Sequence, residues 1–115
     1  MNKIKKLSPL TETTFYILIS LLEPLHGYGI MQEVFSLSKG RIHLGPGTLY
    51  GALGNLVKAG LIIPRGTGET NPRRKTYMIT ELGKELIKYE VGRLKEMTRN
   101  GEKLLGEKGT LDENR

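Results

Sequence analysis

The sequence lacks cysteine and tryptophan and holds only two phenylalanines among its 115 residues. Without cysteine there can be no disulfide bond, no thiolate nucleophile and no cysteine-ligated metal site. No apolar run reaches about 18 residues, the length that a membrane-spanning helix needs, and the first residues lead into no signal-like segment. We therefore expect an intracellular, cytoplasmic protein without a membrane partner, built as one domain with a modest core.

Catalytic and cofactor-binding residues are also scarce. The two histidines, His26 and His43, have no carboxylate at ligand spacing, so a hydrogen-bonded turn histidine is the better explanation of His26. The glycines at 45, 47, 51 and 54 do not make a phosphate-binding loop, because Tyr50 stands where G-x-G-x-x-G needs glycine. We predict no enzyme activity, no metal and no cofactor.

Positive charge is what the sequence has in excess. Eighteen Lys and Arg residues outnumber twelve Asp and Glu residues, which gives a net charge of +6. Residues 1–50 carry five basic and three acidic side chains, residues 51–80 carry five and one, and residues 81–115 carry eight of each. The excess therefore lies in the first 80 residues, and it favours a polyanionic partner for that part of the chain.

Residues 45–63 carry the pattern on which the rest of the interpretation depends. Pro46 suits the first position of a helix, Gly60 suits its end, and Leu61-Ile62-Ile63 then enters a strand. An apolar stripe with helical period lies between them, formed by Leu49, Leu53, Leu56 and Val57. The opposite face is small, polar or basic and consists of Thr48, Gly51, Asn55 and Lys58. Such a helix could merely cover a core, but the basic hairpin that follows favours a recognition helix for a DNA major groove.

Two helices are predicted before this one. Ser8-Pro9 begins the first, with Ser8 or Thr11 as its N-cap and Pro24 at its end. Its apolar face comprises Leu10, Thr14, Ile17, Leu18, Leu21 and Leu22. His26-Gly27 opens the second helix and Gly40 ends it; the buried side comprises Ile30, Met31, Val34, Phe35 and Leu37. We expect residues 2–6 to form a short basic arm and residues 41–44 a small strand or an extended linker.

A long β-hairpin is predicted after the recognition helix. Its strands are residues 62–65 and 75–80, and turn-forming residues fill the segment between them. Its base collects four basic residues: Arg65, Arg73, Arg74 and Lys75. Such a basic cluster often belongs to a loop that is merely solvated. Next to a candidate recognition helix it indicates the wing of a winged helix, which binds phosphates beside the groove.

The last predicted element is a long helix that Thr80 caps. Its apolar stripe is close to a heptad repeat, and its assigned seam comprises Ile87, Val91, Leu94, Met97 and Leu104. A helix of roughly 35 Å is too long for an 80-residue domain to bury alone, so we expect a second copy of the chain to cover it. The alternative is a frayed terminal helix lying on its own domain. Residues 107–115 are predicted to be a disordered tail.

Three blocks of residues, in this order and spacing, resemble the PadR family of transcriptional regulators. They are His26 to Ile30, then Pro46 to Tyr50 with Leu53, Leu56 and Gly60-Leu61-Ile62, then Arg74 to Thr80 with Gly83. The resemblance covers about residues 10–90 and is to the short subfamily with a single C-terminal dimerising helix. It implies a winged-helix homodimer that binds a pseudo-palindromic operator in double-stranded DNA, usually as a repressor and often released by a small-molecule effector.

The resemblance also assigns individual residues. Thr48 and Tyr50 match the helix positions that meet DNA in the family, and Arg73, Arg74 and Lys75 match its basic wing. Asn55 stands where many members have Arg or Lys. Some short members bind flat aromatic drugs between tryptophans, which this chain lacks. A ligand here would therefore rest on Tyr89, Met97 and aliphatic side chains.

The sequence thus predicts a mostly α protein with a small β-hairpin. The predicted parts are a winged helix-turn-helix domain at residues 1–80, a dimerisation helix at residues 81–106 and the tail. The predicted function is that of a DNA-binding transcriptional regulator. The alternative is a winged-helix module that binds another protein. The basic residues of the hairpin favour DNA, because a protein partner does not require that local cationic excess.

Overall fold

The computed structural model describes residues 2–66 and 75–108. In chain order the elements are α1 (Asn2–Leu7), α2 (Glu12–Ser20), β1 (Leu25–His26), α3 (Gly27–Leu37), α4 (Pro46–Lys58), β2 (Ile62–Arg65), β3 (Thr76–Ile79) and α5 (Glu81–Glu107). This order of helices, small sheet and long last helix confirms the predicted fold class of a winged helix-turn-helix with a C-terminal helix.

The core lies where the helices α2, α3 and α4 meet the small sheet and the first half of α5. Each of these helices contributes residues at the spacing of one helical face, so that the buried side chains converge. They include Ile17, Leu18, Leu21, Ile30, Val34, Leu49, Leu53, Leu61, Ile62 and Leu86.

The sheet has three antiparallel strands in the order β1-β3-β2. Ile62 pairs with Ile79 and Arg65 pairs with Thr76, so β2 and β3 form the predicted hairpin. The two-residue strand β1 lies on the other side of β3, where Leu25 pairs with Tyr77. It joins the sheet directly to the start of α3.

The long helix α5 is fixed closely at its beginning. Thr80 caps it as predicted, because its hydroxyl accepts a hydrogen bond from the Gly83 amide and donates one to the Gly60 carbonyl. At Gly83 a β-carbon would collide with the Leu61 carbonyl oxygen and lie 2.6 Å from Ile79 Cγ1. The first turns of α5 therefore lie directly against the hairpin, and only a residue without a side chain fits at position 83.

The N-terminal part of the chain differs from the prediction. Residues 2–6 belong to a short helix, because Ile4 is buried against the core and makes this segment amphipathic. The next helix begins at Glu12 with Thr11 as its N-cap, whereas Ser8 lies before the helix and bonds elsewhere.

The end of α2 was also predicted wrongly. The helix ends at Ser20, four residues before Pro24, since the Leu21 carbonyl accepts a hydrogen bond from the Ile79 amide of β3. The chain therefore turns away toward the sheet, and Leu22 is exposed instead of joining the apolar face.

Helix α3 buries fewer residues than its sequence suggests. Ile30 and Val34 are in the core, but Phe35 and Leu37 are exposed. The face of α3 that contacts α2 and α4 is narrower than the arc of the helix that carries apolar side chains. Residues 41–44 form no strand and are the extended linker of the two alternatives. His26 lies in the strand β1 and not in a turn. Its backbone pairs with Thr76, and its exposed side chain makes no capping hydrogen bond to α3.

Candidate nucleic-acid interface

Helix α4 is held in place from both ends and along one side. Gly45 is its N-cap and Pro46 its first residue, as the sequence predicts. It ends in a Schellman motif, in which the amides of Gly60 and Leu61 donate to the carbonyls of Val57 and Leu56, each at 3.0 Å. Gly60 has a φ of +78°, the left-handed conformation that glycine adopts most easily.

The other side of α4 is not covered by any part of residues 2–66 and 75–108. The residues there are all exposed, and they are Gly47, Thr48, Gly51, Gly54, Asn55 and Lys58. A β-carbon added at any of the three glycines in that set would meet no atom within 4 Å. Packing against the described part of the chain therefore does not explain these glycines, each of which costs about 0.5–1 kcal/mol of helix stability relative to alanine. The result is a slim, polar and open helix face.

Tyr50 lies beside this face, and its hydroxyl lies next to Gly27 at the first turn of α3. The end of its ring lies against Gly27 at the start of α3, so closely that a β-carbon at position 27 would stand 2.9 Å from Tyr50 Cζ. The side chain is still 41% exposed. The nearby Tyr77 hydroxyl has a pKa raised by burial and by its proximity to Tyr50. Tyr50 thus links α3 and α4 while remaining partly open to solvent.

The turn between α3 and α4 fixes the angle of the helix-turn-helix. Lys39 has a φ of 54° and Gly40 a φ of 82°, so two consecutive residues are left-handed. The Ser38 hydroxyl donates to the Phe35 carbonyl at 3.2 Å and accepts from the Ile42 amide at 2.9 Å. Beyond the turn, Arg41 forms an ion pair with Glu12 of α2, and this contact raises the pKa of the Arg41 guanidinium.

The hairpin carries two basic residues in its described part, Arg65 and Lys75. Arg65 ends β2, where its carbonyl accepts a hydrogen bond from the Thr76 hydroxyl at 2.8 Å, and its guanidinium reaches Met78 Sδ at 3.4 Å. Lys75 lies at the start of the returning strand and is half-buried. Arg73 and Arg74, the other two predicted wing residues, lie outside the described residues.

The electrostatics of this region favour an anionic partner. Three basic residues, Lys58, Arg65 and Lys75, make no ion pair with any acidic side chain of residues 2–66 and 75–108. Their charges are therefore not neutralised by this part of the chain.

The predicted dimer residues on α5 fall into two groups. Ile87 lies in the core of the single chain, and Val91 is half-buried at its edge. Further along the helix the apolar side chains are uncovered: Leu94 is 39% exposed and Met97 is 56% exposed, and Leu104 is exposed as well. The part of the seam that a partner could cover is therefore the second half of α5.

One important residue of α5 was not predicted as part of any site. Glu90 is only 1% exposed, and its carboxylate accepts hydrogen bonds from the Ser8 hydroxyl and from the Leu10 amide at 2.8 Å. Arg93 adds two more, from Nε at 2.9 Å and from Nη2 at 3.0 Å. These bonds, with that of Arg93 the largest cause, lower the pKa of Glu90 to about 2. Its place on the stripe of Gly83, Leu86 and Ile87 was the signal that could have revealed its burial.

Residues 2–66 and 75–108 contain neither a metal-binding cluster nor a membrane-spanning helix. No group of three or more His, Cys, Asp or Glu side chains there could hold a metal ion. No helix in the same ranges is long and apolar enough to cross a membrane.

Solved structures share the architecture. A transcriptional regulator from Clostridium thermocellum is 22% identical, with a TM-score of 0.64 over 89% of this chain and 93% of that one. A PadR family transcriptional regulator from Eggerthella lenta is 26% identical, with a TM-score of 0.64 over 80% of each chain. A PadR family transcription regulator from Clostridium difficile is 23% identical, with a TM-score of 0.62 over 80% of this chain and 97% of that one.

Sequence comparison agrees with these structures. A 37.1 kDa protein of transposon TN4556 from Streptomyces fradiae, itself uncharacterized, is 40% identical over 67 residues; the match covers 58% of this chain and 18% of that protein. The sequence model of the PadR-like family of transcriptional regulators matches residues 16–89, which include α3, α4, the hairpin and the start of α5. The chain belongs to the PadR-like family of transcriptional regulators.

Proposed function

We propose that the protein is a homodimeric repressor that binds a pseudo-palindromic operator through α4 and the hairpin. The observation that carries the proposal is the exposed face of α4, a polar helix surface with three glycines that nothing in the described chain covers. A major groove about 12 Å wide admits such a helix. Family membership supports DNA as the partner.

In this proposal the residues of α4 have different roles. Thr48 and Asn55 reach base edges, since a hydroxyl pairs with several bases and an asparagine amide pairs with adenine. Gly51 lets the helix backbone come close to the DNA. Lys58 at the end of α4 binds a phosphate, and Tyr50 offers its hydroxyl to the sugar-phosphate backbone from the edge of the face.

The hairpin supplies the contacts that carry no sequence information. Arg65 and Lys75 flank its described part, and their charges are unpaired there. Arg73 and Arg74 are assigned to the same role from the sequence. Each cation that neutralises a phosphate releases counterions, so these residues raise the affinity for any duplex and make it dependent on salt.

The uncovered apolar residues of α5 support the dimer. Leu94, Met97 and Leu104 are exposed along about one face of a helix that extends beyond the domain. A second copy of the same helix would remove this surface from water, at about 25 cal/mol per Å². Two linked chains then present two α4 helices to two half-sites about one helical turn apart.

We keep release by a small-molecule effector as a prediction from the sequence. Of the two side chains assigned to that ligand from the sequence, Tyr89 is half-buried and Met97 is exposed. Tyr89 lines a groove with Ile4, Glu85 and Lys88, whereas Met97 lies eight residues further along α5, about 12 Å at 1.5 Å per residue.

The experiment that tests the proposal is selection of duplexes from a random library by the purified chain. We expect enrichment of a two-fold symmetric sequence and an affinity for it that falls steeply with salt. A module that binds protein through the same helix would enrich no sequence and would show little retention on random DNA at moderate salt. That result would contradict the proposal and favour the alternative.

A further inference from the structure

The buried carboxylate of Glu90 lies at the place where α5 leaves the winged domain. The buried residues of α5 are Gly83, Leu86, Ile87 and Glu90, whereas nearly all of the residues after Val91 are exposed. Two hydrogen bonds connect the segment between α1 and α2 to α5, from Ser8 and Leu10, and both end on Glu90. Glu90 is therefore the joint between the domain and the projecting part of the helix.

The hydrogen bonds of Glu90 restrict the orientation of its carboxylate as well as its position. Each carboxylate oxygen accepts two hydrogen bonds: Oε1 from the Leu10 amide and from Arg93, and Oε2 from the Ser8 hydroxyl and from Arg93. A bidentate pair with arginine has a fixed planar geometry, and the bond from a backbone amide is directional. Arg93 belongs to α5 itself, so its bidentate pair orients the carboxylate on the helix. The bonds from Ser8 and Leu10 then hold that face of α5, and with it the tilt of the helix, against the segment before α2.

Stability alone does not explain a charged group at this place. The Glu90 carboxylate is buried, whereas the Arg93 side chain is 28% exposed. Burying a charge costs free energy that its partner and its hydrogen bonds largely offset, so the gain over a well-packed apolar residue is small. The same turn of α5 already carries apolar side chains at Leu86, Ile87 and Val91. Buried polar groups are best attested as devices that select one geometry among several.

A small change of tilt at this joint has a large effect at the end of the helix. The 17 residues from Val91 to Glu107 form a rod of about 25 Å at 1.5 Å per residue. A tilt of about 8° displaces the end of such a rod by about 3.4 Å, which is the rise of one base pair. In a two-fold dimer both chains tilt, so about half that angle is enough.

We infer that Glu90 is a positioning residue for DNA binding: by fixing the angle between α5 and the winged domain, it sets the distance between the two α4 helices of a dimer and thereby the half-site spacing that the protein accepts. The inference rests on the proposed dimeric function. Ser8, Leu10 and Arg93 act through Glu90 in the same role.

The geometry can be tested without DNA, because the chain has no cysteine to compete with a label. Ser36→Cys places one spin label on the exposed side of α3 in each protomer, and dipolar spectroscopy measures the distance between the two labels. We expect a narrow distribution in the unaltered background and a broadened or shifted one with Glu90→Gln. The matched control is Glu96→Gln, which removes an exposed carboxylate from the same helix and should leave the distribution unchanged.

The functional consequence is tested with the selected operator and with versions that have one base pair more or fewer between the half-sites. The unaltered protein and Glu96→Gln should prefer one spacing, and Glu90→Gln should reduce that preference by about fivefold or more. A purely structural role for Glu90 predicts an equal loss of affinity on all three duplexes. That outcome, or label distances identical to those of the control, would overturn the inference.

Failure of the underlying proposal has a different signature. If the labelled protein with Glu90 intact shows no dipolar interaction, there is no dimer, and the inference falls with it. If the labels report the expected distances but no duplex is enriched, the DNA-binding proposal fails and the geometric role of Glu90 stands. Should Glu90→Gln not fold, Ser8→Ala removes one of the same bonds from outside the helix; unchanged label distances in that variant would overturn the inference.

Discussion

The ring of Tyr50 in α4 is packed against Gly27 at the start of α3, and a β-carbon at position 27 would stand 2.9 Å from its Cζ atom. The contact joins the two helices of the helix-turn-helix at their N-terminal ends. It explains the glycine at position 27 by lack of space, since any side chain would push Tyr50 away. The hydroxyl of Tyr50 makes no hydrogen bond to residues 2–66 or 75–108, so it can still serve an external partner.

Tyr50→Phe separates the packing role of this residue from its proposed DNA contact. The phenyl ring keeps the contact with Gly27, and no internal hydrogen bond is lost, so we expect the melting temperature to stay nearly unchanged. Affinity for the operator should fall by about 1 kcal/mol, the net value of one hydrogen bond. Tyr89→Phe on α5 is the control. A lower melting temperature with unchanged affinity would show that Tyr50 belongs only to the fold.

Gly51→Ala and Gly54→Ala test why α4 carries glycines on its open face. Because a β-carbon at either position meets nothing within 4 Å, each change should raise the free energy of unfolding by about 0.5–1 kcal/mol. If DNA approaches the helix backbone there, the same variants should bind the operator more weakly. Urea denaturation and fluorescence anisotropy on one preparation measure both quantities. Higher stability with undiminished affinity would remove these glycines from the interface.

Leu94→Asp tests the dimer. Leu94 is exposed in the single chain, so the variant should fold, but in a dimer the change buries an unpaired charge at a cost of several kcal/mol. Sedimentation should therefore show a monomer, and binding to the two-half-site operator should be lost. Lys95→Asp, a neighbouring exposed change, is the control for added negative charge. A wild-type protein that is monomeric at micromolar concentration would contradict the account.

Glu90 should make stability depend on pH in the acid range. Its ordinary pKa of 4.5 falls to about 2 in the folded chain, so the folded state favours the ionised form. The contribution is present above the unfolded pKa and disappears as the pH falls toward the folded one. It amounts to something on the order of 3 kcal/mol. The free energy of unfolding, measured by urea at fixed protein concentration from about pH 5 down to pH 3, should fall more steeply for the wild type than for Glu90→Gln. Parallel curves would contradict the assignment.

The sequence was most informative where one local rule decides the structure. Pro46, Gly60 and Thr80 mark the ends of helices through their own backbone or capping properties, and the structure confirms each of them. The buried stripe of Leu49, Leu53 and Leu56 was equally predictable, because a regular helical period needs no knowledge of the partner surface.

The errors come from residues whose environment is made by distant parts of the chain. The end of α2 depends on the amide of Ile79, nearly 60 residues away, and β1 is too short to have a period of its own. Phe35 is apolar in the right register but lies beyond the edge of the contact with α4. Glu90 is a polar residue at a buried position of the α5 stripe. Its burial is favourable because Ser8 and Leu10, which are distant in the sequence, donate hydrogen bonds to its carboxylate.

The central claim is that α4 recognises the base sequence while the hairpin binds the phosphate backbone. The most direct test is the salt dependence of the affinity for the selected duplex and for a duplex of shuffled sequence. For Arg73→Ala combined with Arg74→Ala we expect weaker binding to both duplexes and a log-log salt slope smaller by about 0.9 per lost contact. For Asn55→Ala we expect an unchanged slope and a smaller ratio between the two affinities, because an asparagine amide distinguishes adenine from other bases. A wild-type protein that binds both duplexes equally, with little dependence on salt, would contradict the account.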